Sequence, residues 1–299
     1  MAGKGKAAVI GLGSMGYGAA SSLLRAGFET YGYDVAEAPM ARFRADGGAA
    51  GALADVAPSL DAVVVLVLNA AQTEDVLFGA EGLVPKMKDG AVVIACATVP
   101  PAFAKRMASA CAAHGVHYLD APVSGGAAKS AVGALTVMAA GDADAFAAAR
   151  PTLDAIAETV FELGEAGAGS AMKAVNQLLA GVHIAAMAEA LTFGMTQGVS
   201  PEKFLEVISR CAGASWMLEN RAPHVIAGDY TPLSQVDIWP KDLGIVLDIA
   251  RDAKFSAPLT AAALQQFLAA SGSGLGREDD AAVAKVYARN AGLTLPGEG

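Results

Sequence analysis

Three groups of residues in this chain are of the types and at the spacings that hold ligands or move protons. The first is Gly11-Leu12-Gly13-Ser14-Met15-Gly16, a G-x-G-x-x-G run between a short apolar stretch, Ala7-Ala8-Val9-Ile10, and a helix-forming one. Between a strand and a helix this spacing signals a dinucleotide site. Gly11 permits the tight turn, Gly13 lets a pyrophosphate approach N–H groups at the helix N-terminus, and Gly16 permits close helix–strand packing. Leu12, Ser14 and Met15 belong to the same loop. Asp34 ends the next strand, where a carboxylate accepts hydrogen bonds from the adenosine ribose and repels the extra phosphate of NADP. NAD is therefore expected, with NADP weaker; no Arg follows Asp34 directly, the nearest being Arg42 and Arg44. The competing reading, an ordinary turn with Asp34 capping a helix, explains fewer of these features together.

The second group is Lys173 and Asn176, one helical turn apart. A lysine at the start of an apolar helix loses hydration, and a second cation such as Lys241 near it disfavours its charged form further, as suits a proton acceptor for a hydroxyl being oxidised. The residues alone leave two readings equally open, an acid/base lysine and a solvated one. Asn176 is either a substrate or lysine ligand, or a buried and satisfied amide. The third group, Ser124-Gly125-Gly126, offers a hydroxyl and accessible backbone N–H groups to a substrate carboxylate; a plain turn is the alternative. His183 returns to roughly the Lys173 face of the same helix and is either a ligand for a hydroxyl of a polyhydroxy acid or a satisfied histidine. Thr98, Leu68 and Asn69 fall at carboxyl ends of strands, where cofactors bind in open α/β sheets.

These residues need a scaffold, and its pattern is legible. Apolar strands at Ala7–Ile10, Glu29–Asp34, Ala62–Leu68 and Ala91–Ala95 alternate with helical stretches at Ser14–Ala26 and from Pro100-Pro101 to about His114. That alternation predicts a parallel, doubly wound sheet. Val116–Leu119, Leu135–Ala139 and Thr159–Leu163 are further expected strands. After the glycine-rich run 164–169 the character changes to a long apolar helix, Ser170–Gly198, followed by an N-cap and first-turn proline at Ser200-Pro201. Helices are expected at Lys241–Ala253, Pro258–Ala270 and Asp279–Asn290. The fold class is α/β: a dinucleotide-binding domain over 1–164, then a long interdomain helix and an all-helical domain for substrate and oligomerisation over 165–299.

Composition bounds the function. With 299 residues, 54% hydrophobic and 17% charged, the chain can bury sizeable cores without metals or disulfides. A formal charge of −9 with no basic cluster argues against nucleic acid. Three cysteines with no C-x-x-C pair suggest neither a disulfide framework nor a zinc site, and fit a reducing cytoplasm. No pair of histidines with a carboxylate forms a metal site, so no metal is expected. The apolar stretch after Lys4 and Lys6 is too short to span a membrane, and no signal peptide or membrane partner is read. An all-round apolar helix at 170–198 needs more cover than one small domain supplies, which points to a homodimer or homotetramer.

The loop Gly11–Gly16, the segment Asp120-Ala121-Pro122-Val123-Ser124-Gly125-Gly126, the segment Gly167–Gln177 with Lys173-Ala174-Val175-Asn176, and Lys241-Asp242-Leu243 together resemble the β-hydroxyacid dehydrogenases, in the right order over nearly the whole chain. The resemblance implies a Rossmann domain, a long interdomain helix, an all-helical domain, and an active site in the cleft between the domains. It implies hydride transfer from a small anionic hydroxy acid to NAD with Lys173 as acid/base. By the same resemblance the 124–126 loop binds substrate, Thr98 meets the nicotinamide end, and Lys241 reaches cofactor or substrate; Lys173 and Asn176 are the expected catalytic residues. The stretches 176–184, 224–237 and 276–280 resemble a branch of the family acting on four-carbon sugar acids. Asn176-Gln177 departs from the commoner pair of asparagines, away from 3-hydroxyisobutyrate. Competing expectations are a 3-hydroxyisobutyrate or 3-hydroxypropionate dehydrogenase, a short-chain semialdehyde reductase, and a catalytically silent nicotinamide sensor. Imine reduction, also found on this architecture, is disfavoured by Lys173. Arg277-Glu278-Asp279-Asp280 is expected to open a helix, with a substrate or subunit contact left open.

Overall fold

The computed structural model describes residues 4–298, which divide after Lys173 into two compact units. The first runs β1 (Lys6–Ile10), α1 (Ser14–Arg25), β2 (Glu29–Tyr33), α2 (Glu37–Ala45), α3 (Leu53–Val56), β3 (Ala62–Val65), α4 (Ala70–Phe78), β4 (Val92–Ala95), α5 (Pro101–Ala112) and β5 (His117–Asp120). The five strands form one parallel sheet in the order β2-β1-β3-β4-β5. A lone parallel bridge, Tyr31 to Ala49, continues the sheet beyond β2. Counted as a vestigial strand, it yields the 3-2-1-4-5-6 order of a dinucleotide-binding sheet. Alternate residues enter two cores. Ala7, Val9, Val64 and Ile94 face one, while Ala8, Ile10, Val65 and Val93 face the other. Both faces are therefore covered, which is why the strands read as unbroken apolar runs.

The chain goes on through β6 (Val123–Ser124), α6 (Gly126–Ala131), β7 (Leu135–Ala139), α7 (Ala143–Ile156) and β8 (Ala157–Glu162). These strands do not extend the parallel sheet. They make a second, mixed one, β6 antiparallel and β8 parallel to β7. β3 also stops three residues short of the expected Leu68. Beyond Val65 the chain lies against Gly11, and its exposed Leu68 and half-buried Asn69 form the edge loop before α4.

α8 (Ala168–Thr196) opens in the first unit and continues into the second. It is long and apolar enough to cross a membrane by length and composition alone. Its Ile184, Met187, Ala188 and Leu191 are instead buried in the core of the second unit. That core is completed by α9 (Pro201–Ile208), α10 (Trp216–Ala227), α11 (Ile238–Asp252), α12 (Pro258–Ala270) and α13 (Val283–Asn290). Trp239 stacks on Phe267 at 5.4 Å between ring centroids, fixing α11 on α12.

The expected helix from Asp279 is a 3₁₀ turn, Asp280–Ala282, leading into α13, and Asp279 and Asp280 are wholly buried. They are not available to a substrate or a neighbouring subunit. Asp280 Oδ1 accepts from Arg221 Nε at 2.5 Å and its Oδ2 from Trp239 Nε1 at 2.9 Å. Asp279 Oδ2 accepts from Leu233 N–H at 2.9 Å, and its Oδ1 lies 3.7 Å from His224 Nδ1.

Candidate functional site

The glycine loop after β1 has the steric character of a phosphate cradle. Gly11 has φ +93°, and a Cβ there would sit 2.5 Å from the Leu66 carbonyl oxygen; one at Gly16 would sit 1.7 Å from the Gly11 carbonyl oxygen. Both must be glycine for the chain to fold on itself. Gly13 differs, because a Cβ there would meet no protein atom within 4 Å. Its openness matters to whatever approaches from outside. Gly13 is also the N-cap of α1 and supplies no side-chain hydrogen bond, so the first-turn N–H groups next to Ser14 and Met15 have no capping side chain. A hollow of about 840 Å³ adjoins the loop at Leu12, Gly13 and Ser14.

Asp34 follows β2 and is half-buried. Its Oδ2 accepts from Leu12 N–H at 2.8 Å and its Oδ1 from Ala36 N–H at 2.9 Å. A carboxylate has about four acceptor positions, so two remain for ribose hydroxyls. Arg42 lies over the Tyr17 ring at 4.4 Å, and Arg44 is ion-paired with Glu37. The loop's shape, its uncapped helix start and Asp34 thus fit a dinucleotide.

Of the other strand-end residues, Thr98 is half-buried in the loop after β4. Asn69 caps α4, its side chain accepting from Gln72 N–H at 2.9 Å, while Gln72 Oε1 accepts from Leu68 N–H at 2.9 Å. This reciprocal arrangement holds the Leu68 backbone at the sheet edge.

Lys173 is buried, and its Nζ donates to the Val123 carbonyl at 2.8 Å. That bond places the amine beside the residue preceding Ser124. Ser124 ends β6, and Gly125 and Gly126 turn the chain with φ +120° and +66°, a reversal that side chains with a Cβ resist.

A residue to which the sequence analysis gave no role beyond opening the 120–126 segment sets this geometry. Asp120, at the end of β5, is 1% exposed and accepts from Gly167 N–H at 2.9 Å, Ser170 N–H at 2.8 Å and Ser170 Oγ at 2.6 Å. It caps the start of α8 from fifty positions upstream in the chain. Burial pushes its carboxyl up from the usual value, opposed by those three hydrogen bonds.

In the second unit Asn176 donates through Nδ2 to Gln177 Oε1 at 2.8 Å, and Gln177 donates through Nε2 to Asp242 Oδ2 at 2.5 Å. Asp242, 2% exposed on α11, is also ion-paired through Oδ1 with Lys241 at 2.8 Å. The Lys241 charge is thereby met by a carboxylate. Gln177 and Asp242 each stand in a segment that carries the resemblance, but their pairing, sixty-five positions apart, has no signal in the sequence. His183 is half-buried farther along α8. Among the described residues no cluster of His, Cys, Asp and Glu could hold a metal ion.

The chain matches known proteins along nearly its whole length. Residues 6–164 match the family model described as the NAD binding domain of 6-phosphogluconate dehydrogenase. Residues 167–287 match that described as NAD-binding of NADP-dependent 3-hydroxyisobutyrate dehydrogenase. The chain is 53% identical over 292 residues to an L-threonate dehydrogenase of Cupriavidus necator, covering 97% of each. It is 47% identical to an L-threonate dehydrogenase of Escherichia coli, covering 97% of this chain and 96% of that one. A crystal structure of a 3-hydroxyisobutyrate dehydrogenase from Salmonella typhimurium superposes with a TM-score of 0.89 at 47% identity, over 95% of this chain and 100% of that one.

Proposed function

This chain belongs to the β-hydroxyacid dehydrogenase family, that of 3-hydroxyisobutyrate dehydrogenase, and is a nicotinamide-dinucleotide-dependent hydroxyacid dehydrogenase; on that premise we propose that it oxidises L-threonate to 2-dehydro-L-erythronate with NAD, with Lys173 as acid/base. The observation that carries the mechanism is the Lys173 amine held 2.8 Å from the Val123 carbonyl, next to the Ser124–Gly126 turn. Support for the substrate is the identity to relatives that bear the name L-threonate dehydrogenase over nearly their full length.

The residues divide the work. Over 1–164, Gly11 to Gly16 would hold the pyrophosphate, Asp34 the adenosine ribose, and Leu68, Asn69 and Thr98 the sheet edge toward the nicotinamide; Lys241 would reach the cofactor from 165–299. When bound, the nicotinamide supplies the hydride acceptor. Ser124 and the N–H groups of Gly125 and Gly126 bind the substrate carboxylate, while Asn176 and His183 meet hydroxyls. Lys173, whose Nζ donates to the Val123 carbonyl, takes the proton of the hydroxyl on C2 as the hydride leaves C2. In the reverse direction it returns that proton.

The test is NADH formation with L-threonate, D-threonate, D-erythronate, 3-hydroxyisobutyrate and 3-hydroxypropionate. Turnover of L-threonate above the others supports this reading. Turnover confined to 3-hydroxyisobutyrate, the substrate in the name of the superposed Salmonella protein, replaces the substrate and keeps the mechanism.

NAD preference rests on Asp34. Asp34→Ser removes a charged acceptor, so KM for NAD rises about tenfold or more and the margin over NADP narrows. A wild-type enzyme with the lower KM for NADP contradicts the assignment. Along α8, Val175, Leu179 and Phe193 are 54%, 49% and 66% exposed, an apolar row that a second copy of the chain would cover. Light scattering is expected to return the mass of a dimer or tetramer; a monomer overturns that.

A further inference from the structure

The Asn176-Gln177-Asp242-Lys241 chain has a fixed polarity. A carboxylate ion-paired with an ammonium accepts hydrogen bonds and donates none. Asp242, paired with Lys241, therefore requires that Gln177 turn its Nε2 toward it. The Gln177 amide is planar, so Oε1 must face the other way, where it accepts from Asn176 Nδ2. The Asn176 amide is oriented in turn: its nitrogen is committed to Gln177, and its oxygen Oδ1 points away as an acceptor. Without Asp242 either amide could be reversed at little cost. Gln177 is 7% exposed and Asp242 2% exposed, so water is largely excluded as a competing partner that could scramble the order. Length matters as well: an asparagine at 177 is one methylene shorter and does not span from Asn176 to Asp242.

We propose that Gln177 is a specificity-determining positioning residue: by transmitting the polarity of Asp242 to Asn176 it presents Asn176 Oδ1 as a hydrogen-bond acceptor, selecting hydroxy acids that carry a further hydroxyl donor beside the oxidised carbon. The inference rests on the placement of Asn176 at the substrate given under the proposed function, and goes beyond it in naming what sets the amide's direction. It also accounts for the glutamine at this position: an acid with only a methyl or hydrogen there leaves Oδ1 unmet, a loss that makes a polar site reject the deoxygenated analogue.

The experiment compares L-threonate with 2-hydroxybutyrate of the same configuration at C2, which keeps four carbons and lacks the two further hydroxyls. KM is measured for each, or Ki as a competitor of L-threonate where turnover of the analogue is too slow to follow. In Gln177→Met and Gln177→Asn the discrimination between the two falls about five- to tenfold, the worth of one hydrogen bond, with the change on the L-threonate side. On an Asn176→Ala background, Gln177→Met produces no further change. KM and Ki do not depend on how much of each preparation is folded, so a destabilised variant still reports. Equal weakening of both acids, or an unchanged ratio in both variants, overturns the role of Gln177 while L-threonate oxidation by the wild type stands. A wild type that oxidises no polyhydroxy acid overturns the substrate reading and this role together.

Discussion

Lys173→Ala lowers kcat/KM for L-threonate roughly 10²- to 10⁴-fold, the usual worth of a positioned acid/base group, while the affinity for NAD measured by fluorescence is retained. The separation is expected because the glycine loop and Asp34 are tied to one another through the Leu12 N–H. Lys173→Arg distinguishes proton transfer from charge. A guanidinium keeps the positive charge and can still reach a carbonyl such as Val123, yet does not lose a proton at working pH. The arginine variant is therefore expected to be nearly as inactive as the alanine one. If it keeps more than a small fraction of wild-type kcat, Lys173 acts by electrostatics and the acid/base assignment fails.

The second large effect is on stability. Arg221→Met removes a guanidinium beside two fully buried carboxylates, Asp280 at 2.5 Å and Asp279 at 3.9 Å from its Nε. Stripping one partner from a buried ion pair costs about 3–5 kcal/mol, a large share of the roughly 5–15 kcal/mol that holds a typical domain folded. A melting temperature lower by roughly 10 °C is expected. The pH dependence gives the cause. Burial already pushes the Asp280 carboxyl up from its usual value of 3.8, and Arg221 opposes that. Without Arg221 the folded-state value rises further. Between the unfolded value and the raised folded one, the folded state holds more protons than the unfolded state, so stability falls as pH rises through that window. The variant's deficit relative to wild type should shrink on mild acidification, and Asp280→Asn added to Arg221→Met should recover part of it at neutral pH. A deficit that is the same at every pH would mean that Arg221 contributes by packing alone.

What could be read from the sequence divides by the range of the interaction involved. The glycine loop, the buried strands and α8 are encoded by neighbours within a few positions, and the structure has each near its expected place. Gly11 and Gly16 were legible because a local turn needs them. Short helices such as α4 and α10 were not, since nine to twelve residues of mixed polarity have little periodicity. The second sheet was not separable from the first, because a strand's partner leaves no mark on its own residues. Asp279 and Asp280 looked like acids at a helix start, and the partners that permit their burial, Arg221 and Trp239 for Asp280 and the Leu233 N–H for Asp279, lie about forty to sixty positions earlier. Asp120 with Ser170, and Gln177 with Asp242, are likewise pairings that no local pattern announces.

Asp120 and Lys173 also bear on how such enzymes can be cut and recombined. The first turn of α8 belongs by continuity to the helix that enters the second unit, but by contact to β5 and β6, through Asp120 to Ser170 and through Val123 to Lys173. A chimera joined in the glycine-rich run at 164–167 would import a foreign first turn onto a native Asp120, replacing both partners of that carboxylate at once. A junction after Lys173 transfers the cap, the lysine and its anchor as one block, so the inheritable unit of this fold extends two helical turns past the point where the loop ends.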